Sequence, residues 1–156
     1  MHMQRWLEAA ASARLAIAFD PWNHAYKTGF VEIQAHVNRE RAAELLGEAR
    51  DAAARGEAMA LLEEAIHFRP LDPVANARAA DLALSLGDLD KAMEYADAAA
   101  EIDPEQAAHH LLRARVLRRK QDPRGARGAI DQAARLAPKD EEVIAERRLQ
   151  ASVARG

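Results

Sequence analysis

Small and apolar residues recur along the 156-residue chain at a fixed distance of 34 positions. Pro70, Pro104 and Pro138 end three similar segments, EEAIHFRP, AAAEIDP and QAARLAP. The further columns in this register are Ala58, Ala92 and Ala126; Ala65, Ala99 and Ala133; Phe68, Ile102 and Leu136; and Leu46, Ala80 and Ala114. Agreement between several columns at one spacing predicts a repeated structural unit.

Turn and capping signals divide each unit into two helices. Gly87 can adopt the left-handed conformation that ends a helix, and Asp88 can cap the next one. Asp-Pro pairs at positions 72–73 and 122–123 are typical of an N-cap followed by proline in the first helical turn. The three repeated prolines cannot continue a helix, so each ends a second helix. Because alanine is small, we expect the helices to approach closely.

A 34-residue period with this alanine and proline pattern resembles the tetratricopeptide repeat, a helix–turn–helix unit. The segment LGDLDKA of the middle unit is similar to the family's inter-helix turn and its following alanine. The resemblance covers residues 39–140 and implies three units, 39–72, 73–106 and 107–140. It also implies an all-α solenoid whose stacked units form a right-handed superhelix, with no β-sheet.

Two units depart from the family pattern. The first has Ala53 at the position of the turn glycine, and its Gly56 comes three residues later, which predicts a longer first helix. The third has Gln121 in the glycine position and Arg113 where the family has leucine.

The segments outside the repeats are also helical in pattern. Residues 141–156 predict a capping helix, with glutamates leading and arginines following. In residues 1–38, a stripe of Tyr26, Phe30, Ile33 and Val37 indicates an amphipathic helix. This N-terminal segment is interpreted either as a cap on the first repeat or as an arm that swaps into a partner chain and forms a homodimer.

The composition argues against several function classes. The chain has no cysteine, its net charge is −3, and aromatic residues make up only 4%. It contains no phosphate-binding loop, no zinc-ligand spacing and no apolar run long enough to span a bilayer. We therefore expect no enzyme activity, no cofactor, no metal and no membrane partner. The lack of cysteine fits a reducing, cytoplasmic location.

Charge is distributed unevenly along the repeats. Residues 40–64 carry seven acidic and three basic residues. Residues 113–127 carry seven basic residues and one acidic residue; this range is called the basic stretch below. It is interpreted either as a solubility feature with contacts to neighbouring surfaces or as a patch for an acidic partner.

The family resemblance implies a protein–protein interaction module, an adaptor or scaffold. In that family the first helices of successive units line a groove that holds a peptide or helix. Mapped onto this sequence, the groove residues are Ala43, Gly47 and Arg50; Ala77, Arg78, Asp81 and Leu84; and Leu111, Arg115, Arg118 and Arg119. An acidic partner segment is the ligand that the arginines favour.

Other functions stay open at this point. Some family members grip chaperone C-termini through a clamp of lysine, asparagine and arginine. The matching positions are Ala43, Gly47, Arg78, Ala108 and Leu112, of which only Arg78 could contribute, so this ligand is not expected. Nucleic-acid binding through the basic stretch is an alternative, weakened by the net charge and the lack of aromatics there. Self-association as a structural scaffold is another.

Overall fold

The computed structural model describes residues 2–48 and 52–153. Within these ranges the chain forms eight α-helices and no β-strand. The helices are α1 (His2–Phe19), α2 (His24–Glu48), α3 (Ala52–Phe68), α4 (Pro73–Leu86), α5 (Leu89–Ile102), α6 (Ala107–Arg119), α7 (Pro123–Leu136) and α8 (Glu141–Val153). The fold is therefore all-α, as the sequence predicts.

Helix boundaries follow the repeat register of the sequence. Helices α4, α6 and α8 begin at Pro73, Ala107 and Glu141, which occupy equivalent positions in that register. Helices α5 and α7 are offset by the same repeat length at both ends. The register thus extends past the third predicted unit, because α8 lies where the first helix of a further unit would begin.

The chain divides into two compact units, Met1–Leu71 and Asp72–Gly156. In the first, α2 packs against both α1 and α3. In the second, consecutive helices pack against each other, and α6 also contacts α4 and α8. The second unit therefore places its three first helices, α4, α6 and α8, side by side.

Buried alanines hold the helices of each unit together. Ala92 and Ala126, at one register position, are buried, and so are Ala99 and Ala133 at another. Larger apolar residues complete the core where α6, α7 and α8 meet. That cluster contains Leu111, Ala114, Ala129, Ile130, Ala133 and Val143. Small residues at repeated positions thus permit the close helix–helix approach expected from the sequence.

The predicted aspartate caps are confirmed in the second unit. Asp72, Asp88 and Asp122 precede α4, α5 and α7, and each side chain accepts a hydrogen bond from a backbone N–H two or three residues later. These contacts satisfy amide groups that have no partner within the helix. The aspartates therefore fix where the helices of the repeat begin.

The turns inside the last two helix pairs share one backbone conformation. Gly87 ends α4 with a φ of 81°, as its identity predicts. Gln121, at the equivalent position after α6, has a φ of 61°. A side chain is strained in this region, because its Cβ crowds the following carbonyl oxygen.

Helix α8 differs from α4 and α6 at one register position. Ala80 and Ala114 are buried, and Ala114 belongs to the cluster that joins α6 to α7. The corresponding residue of α8 is Arg148, which is exposed. On α6 this position lies on the face that packs against α7. On α8 the same position carries the charge of Arg148.

In the first unit, α1 packs on α2 through aromatic and polar contacts. The rings of Trp6 and His36 lie 4.1 Å apart between centroids. Arg14 donates a hydrogen bond to Gln34 Oε1 at 3.0 Å, and its guanidinium lies 5.6 Å from the centroid of the Phe30 ring. The N-terminal helix is thus packed against the same chain.

The turn of the first helix pair does not lie where the sequence predicts it. Helix α2 is long, as expected, and the predicted boundary at residue 38 falls inside it. Ala53 and Gly56, however, both lie within α3, so the turn does not come at or after Ala53. Gly56 is exposed, and nothing near it requires glycine, so it marks no turn.

Candidate partner-binding surface

The first helices of the second unit present one set of outward positions. Val74, Ala108 and Glu142 occupy equivalent register positions on α4, α6 and α8, and all three are exposed. Because α6 contacts both α4 and α8, these positions belong to neighbouring helices. This surface of α4, α6 and α8 is called the first-helix face below.

The predicted groove residues are distributed over two units. On α4, Ala77, Arg78 and Leu84 are half-buried and Asp81 is exposed. Arg119, at the end of α6, is exposed. In the first unit, Ala43 is half-buried and Gly47 exposed on α2, and Arg50 lies outside the described residues.

Leu111 was predicted to line the groove, and the structure instead places it in the core. Its side chain is buried in the cluster that contains Ile130 of α7 and Val143 of α8. Leu112, one of the clamp positions, is buried as well. Helix α8 covers the side of α6 on which Leu111 lies, so Leu111 packs the unit together.

Arg115 and Arg118 are engaged by carboxylates of α8. Arg118 Nε lies 2.6 Å from Glu146 Oε1, and Arg115 Nε lies 3.6 Å from Glu146 Oε2. Arg115 also donates to Glu142 Oε2 at 2.8 Å. Glu146 is only 5% exposed, whereas Glu142 is exposed. Arg115 and Arg118 lie three residues apart on α6, and these carboxylates offset the repulsion between their like charges.

Two further basic residues of the basic stretch are also paired. Arg113 Nε lies 2.6 Å from Asp97 Oδ1 on α5. Lys120 Nζ lies 2.5 Å from Asp90 Oδ1, also on α5. The hydrogen bond and the charge of Lys120 hold the pKa of Asp90 below its ordinary value. Four of the seven basic residues thus stabilise contacts between helices.

The remaining three basic residues are Arg119, Arg124 and Arg127, which are exposed. Across the described ranges, none of them forms an ion pair. Arg124 and Arg127 line a cleft of about 400 Å³ between α7 and α8, together with Pro123, Ile130, Arg147 and Gln150. No local sequence signal points to this cleft, because it depends on how α8 packs on α7.

The adjacent histidines have a structural role. His109 Nδ1 lies 3.1 Å from the carbonyl oxygen of Asp103, and His110 Nε2 lies 2.7 Å from that of Pro104. These bonds hold α6 to the turn that precedes it. In the part of the chain that the structure describes, no three His, Cys, Asp or Glu residues are grouped so that they could hold a metal ion.

No helix among the described residues is both long and apolar enough to cross a bilayer.

Comparison with known protein families supports the 34-residue repeat seen in the sequence. The tetratricopeptide repeat family matches residues 49–116. Residues 49–116 therefore carry the tetratricopeptide repeat pattern. A search of curated proteins finds no match.

Solved tetratricopeptide domains share the fold at low sequence identity. The first such domain of Spaghetti (RPAP3), bound to the HSP90 peptide SRMEEVD, has a TM-score of 0.72 and 16% identity, covering 79% of this chain and 94% of its own. The second domain of human RPAP3, in complex with the HSP70 peptide SGPTIEEVD, has a TM-score of 0.71 and 14% identity, with 78% and 98% covered. The Arabidopsis OM64 domain has a TM-score of 0.69 and 16% identity, with 76% and 95% covered. The chain is a helical-repeat solenoid.

Proposed function

We propose that the chain is a protein–protein interaction module, an adaptor or scaffold without catalytic activity, that binds a segment of a partner on the first-helix face. The observation that carries this proposal is the register of α4, α6 and α8, which begin at equivalent repeat positions and lie side by side in one compact unit. A surface built on packed helices is ordered before binding, so little conformational entropy is lost when a partner docks.

The charges of this face favour an acidic segment. Arg119 is exposed and has no ion pair within the described ranges. The bond between Arg115 and Glu142 joins exposed groups, and exposed ion pairs contribute only about 0.2–1 kcal/mol, so an incoming carboxylate can replace Glu142. Glu146 is buried and holds Arg118 in place. Arg115 and Arg119 are therefore the proposed anchors.

Apolar side chains of the partner would contact both outer helices. Val74 on α4 is 44% exposed and Leu149 on α8 is 51% exposed. Leu84 on α4 and Ala77 are half-buried and leave part of their surface open. The proposed ligand is thus an acidic segment that also carries apolar residues.

The proposed way of binding differs from the clamp by which some family members hold chaperone C-termini. Ala43, Gly47, Ala108 and Leu112 stand at four of the clamp positions and offer no side-chain donor. Arg78 is the only residue at such a position that could bind a carboxylate. We therefore propose that SRMEEVD and similar tails are not gripped by a clamp of that kind.

The proposal can be tested with isotope-labelled protein and a synthetic peptide of repeating Glu-Glu-Leu triplets. Saturable shift changes are expected at backbone amides of α4 and α6, and Arg119→Glu should weaken them. Lys139→Glu reverses an exposed charge outside α4, α6 and α8 and serves as the control. Peptide binding that does not shift the amides of α4 and α6 would contradict the proposed face. So would a peptide affinity that is unchanged in Arg119→Glu.

Self-association is a second candidate, favoured by one observation. Phe19 and Trp22, at the turn between α1 and α2, are 93% and 85% exposed, and Leu15 is exposed nearby. Large apolar groups left in contact with water commonly mark interaction sites. Light scattering of the chain and of a Phe19→Ser, Trp22→Ser variant tests this. A monomer of unchanged mass in both samples would exclude a homodimer through this turn.

Nucleic-acid binding through the basic stretch has less support than a protein partner. Four residues of that stretch are paired with carboxylates, so much of its charge is already neutralised. For location, we propose the cytoplasm, in keeping with a chain that has no cysteine.

A further inference from the structure

We propose that the cleft between α7 and α8 is a second docking surface, separate from the first-helix face, which binds an acidic segment of a protein partner and receives one of its apolar side chains. This goes beyond the proposed function, because the cleft is lined by the second helix of a pair and by α8. Three features carry the proposal: unpaired charge, an apolar lining, and a wall fixed by a hydrogen bond from the buried Gln150.

The charge comes from the arginines that the rest of the described chain does not neutralise. Arg124 and Arg127 lie three residues apart on α7, so they share one side of the helix. Both are exposed, and neither has an ion pair within the described ranges. Arg147 faces them from α8 and reaches Asp131 only at 3.7 Å. Among the described residues, the lining thus carries three cations and one anion.

The floor and wall of the cleft suit an apolar side chain. Pro123, Ile130 and Ala151 contribute apolar lining to a volume of about 400 Å³. Gln150 is buried and donates from Nε2 to the carbonyl oxygen of Pro123 at 2.9 Å, which ties α8 to the start of α7. A cleft held in this way is formed before a ligand arrives.

The cleft continues toward the end of α6. A neighbouring cavity of about 250 Å³ shares Pro123 and Gln150 and is also lined by Arg118 and Gln121. The two volumes together can take more than one side chain of an extended segment. The combined volume therefore favours a ligand that is an extended stretch of polypeptide over a ligand that inserts a single side chain.

The same lining disfavours nucleic acid. Of the described residues that line the two cavities, none is an aromatic residue on which a base could stack. An acidic segment can place its carboxylates on Arg124 and Arg127 and turn an apolar residue toward Pro123 and Ala151.

The test compares two variants of equal net charge, using the synthetic Glu-Glu-Leu peptide as the probe. Arg124→Glu with Arg127→Glu reverses the cleft charge, and Lys139→Glu with Arg148→Glu reverses two exposed charges outside the cleft lining. All four side chains are exposed, so both variants should fold, as circular dichroism can confirm. We expect the cleft variant to lose about tenfold in peptide affinity, since like charges are brought together. The control should lose much less.

The location of binding is read from the amide shifts of labelled protein. Changes at Ile130, Gln150 and Ala151 that vanish in the cleft variant support the cleft. Changes confined to α4 and α6, equal losses in both variants, or no saturable binding overturn it. Shift changes confined to α4 and α6 would overturn the cleft but still support the first-helix face. Shift changes confined to α7 and α8 would support the cleft and contradict the first-helix face. A single-stranded oligonucleotide that binds the cleft more tightly than the peptide at the same salt concentration also overturns the proposal.

Discussion

Gly87 and Gln121 adopt the same left-handed backbone conformation, with φ angles of 81° and 61°, although only one of them is glycine. They occupy equivalent register positions, each at the turn inside a helix pair. The turn geometry is thus imposed by the packing of the two helices, and the third pair accommodates a side chain that disfavours it.

Replacing Gln121 by glycine should stabilise the chain. The substitution removes the steric cost of a left-handed side chain, which outweighs the added freedom of the unfolded chain, for a gain of about 0.5–1 kcal/mol. The urea midpoint should rise. Gln121→Ala keeps the Cβ and should bring no such gain, and Gly87→Ala should lower the midpoint. A fall in the midpoint for Gln121→Gly would show that the glutamine side chain contributes more than its backbone conformation costs.

Replacing Ala92 by a larger residue is expected to destabilise the fold. It is fully buried on α5, so Ala92→Leu must displace neighbouring helices and should cost about 1–3 kcal/mol. Ala60, exposed on α3, provides the matched control, since the same change there meets solvent. Equal denaturation midpoints for the two variants would contradict the tight contact at Ala92.

Glu146 should contribute more stability than Glu142. Glu146 is buried and bonded to Arg118, so Glu146→Gln weakens a charged contact with little access to water and should cost about 1–3 kcal/mol. Glu142 is exposed, so Glu142→Gln should cost about 1 kcal/mol or less. Thermal unfolding of both variants measures the difference. If Glu142→Gln costs as much as Glu146→Gln, burial is not what gives the bond its strength.

The bond between Lys120 and Asp90 should appear in the acid titration. Because it holds the pKa of Asp90 below the ordinary value of about 3.9, its stabilisation is present above that pH and is lost as the pH falls through the lower folded value. The carboxyl carbon shift of Asp90 should titrate at a lower pH in the native chain than in Lys120→Ala. Lys120→Arg retains the charge and should keep the pKa low. Identical midpoints in all three proteins would exclude the contact in solution.

Local sequence signals predicted the repeat well, because they depend on neighbouring residues. The aspartate caps and the glycine at residue 87 are such signals, and each lies where expected. The turn of the first pair was misplaced, because its position was assigned by register alone.

The candidate site was harder to predict, because its charges are set by contacts between distant residues. The carboxylates that meet Arg115 and Arg118 lie 27 and 28 residues further along the chain. Only the packing of α8 on α6 shows which arginines are paired. The burial of Leu111 depends on the same contact. The cleft lined by Arg124 and Arg127 depends on the packing of α8 on α7.

Arg148 has a consequence for how many helices such a stack can contain. A further helix packed on α8 as α7 packs on α6 would have to bury a guanidinium where Ala80 and Ala114 are enclosed, and burying an unpaired charge is costly. One side chain therefore limits growth of the array on this side. Arg148→Ala would remove that limit, so that designed repeats could be packed onto α8.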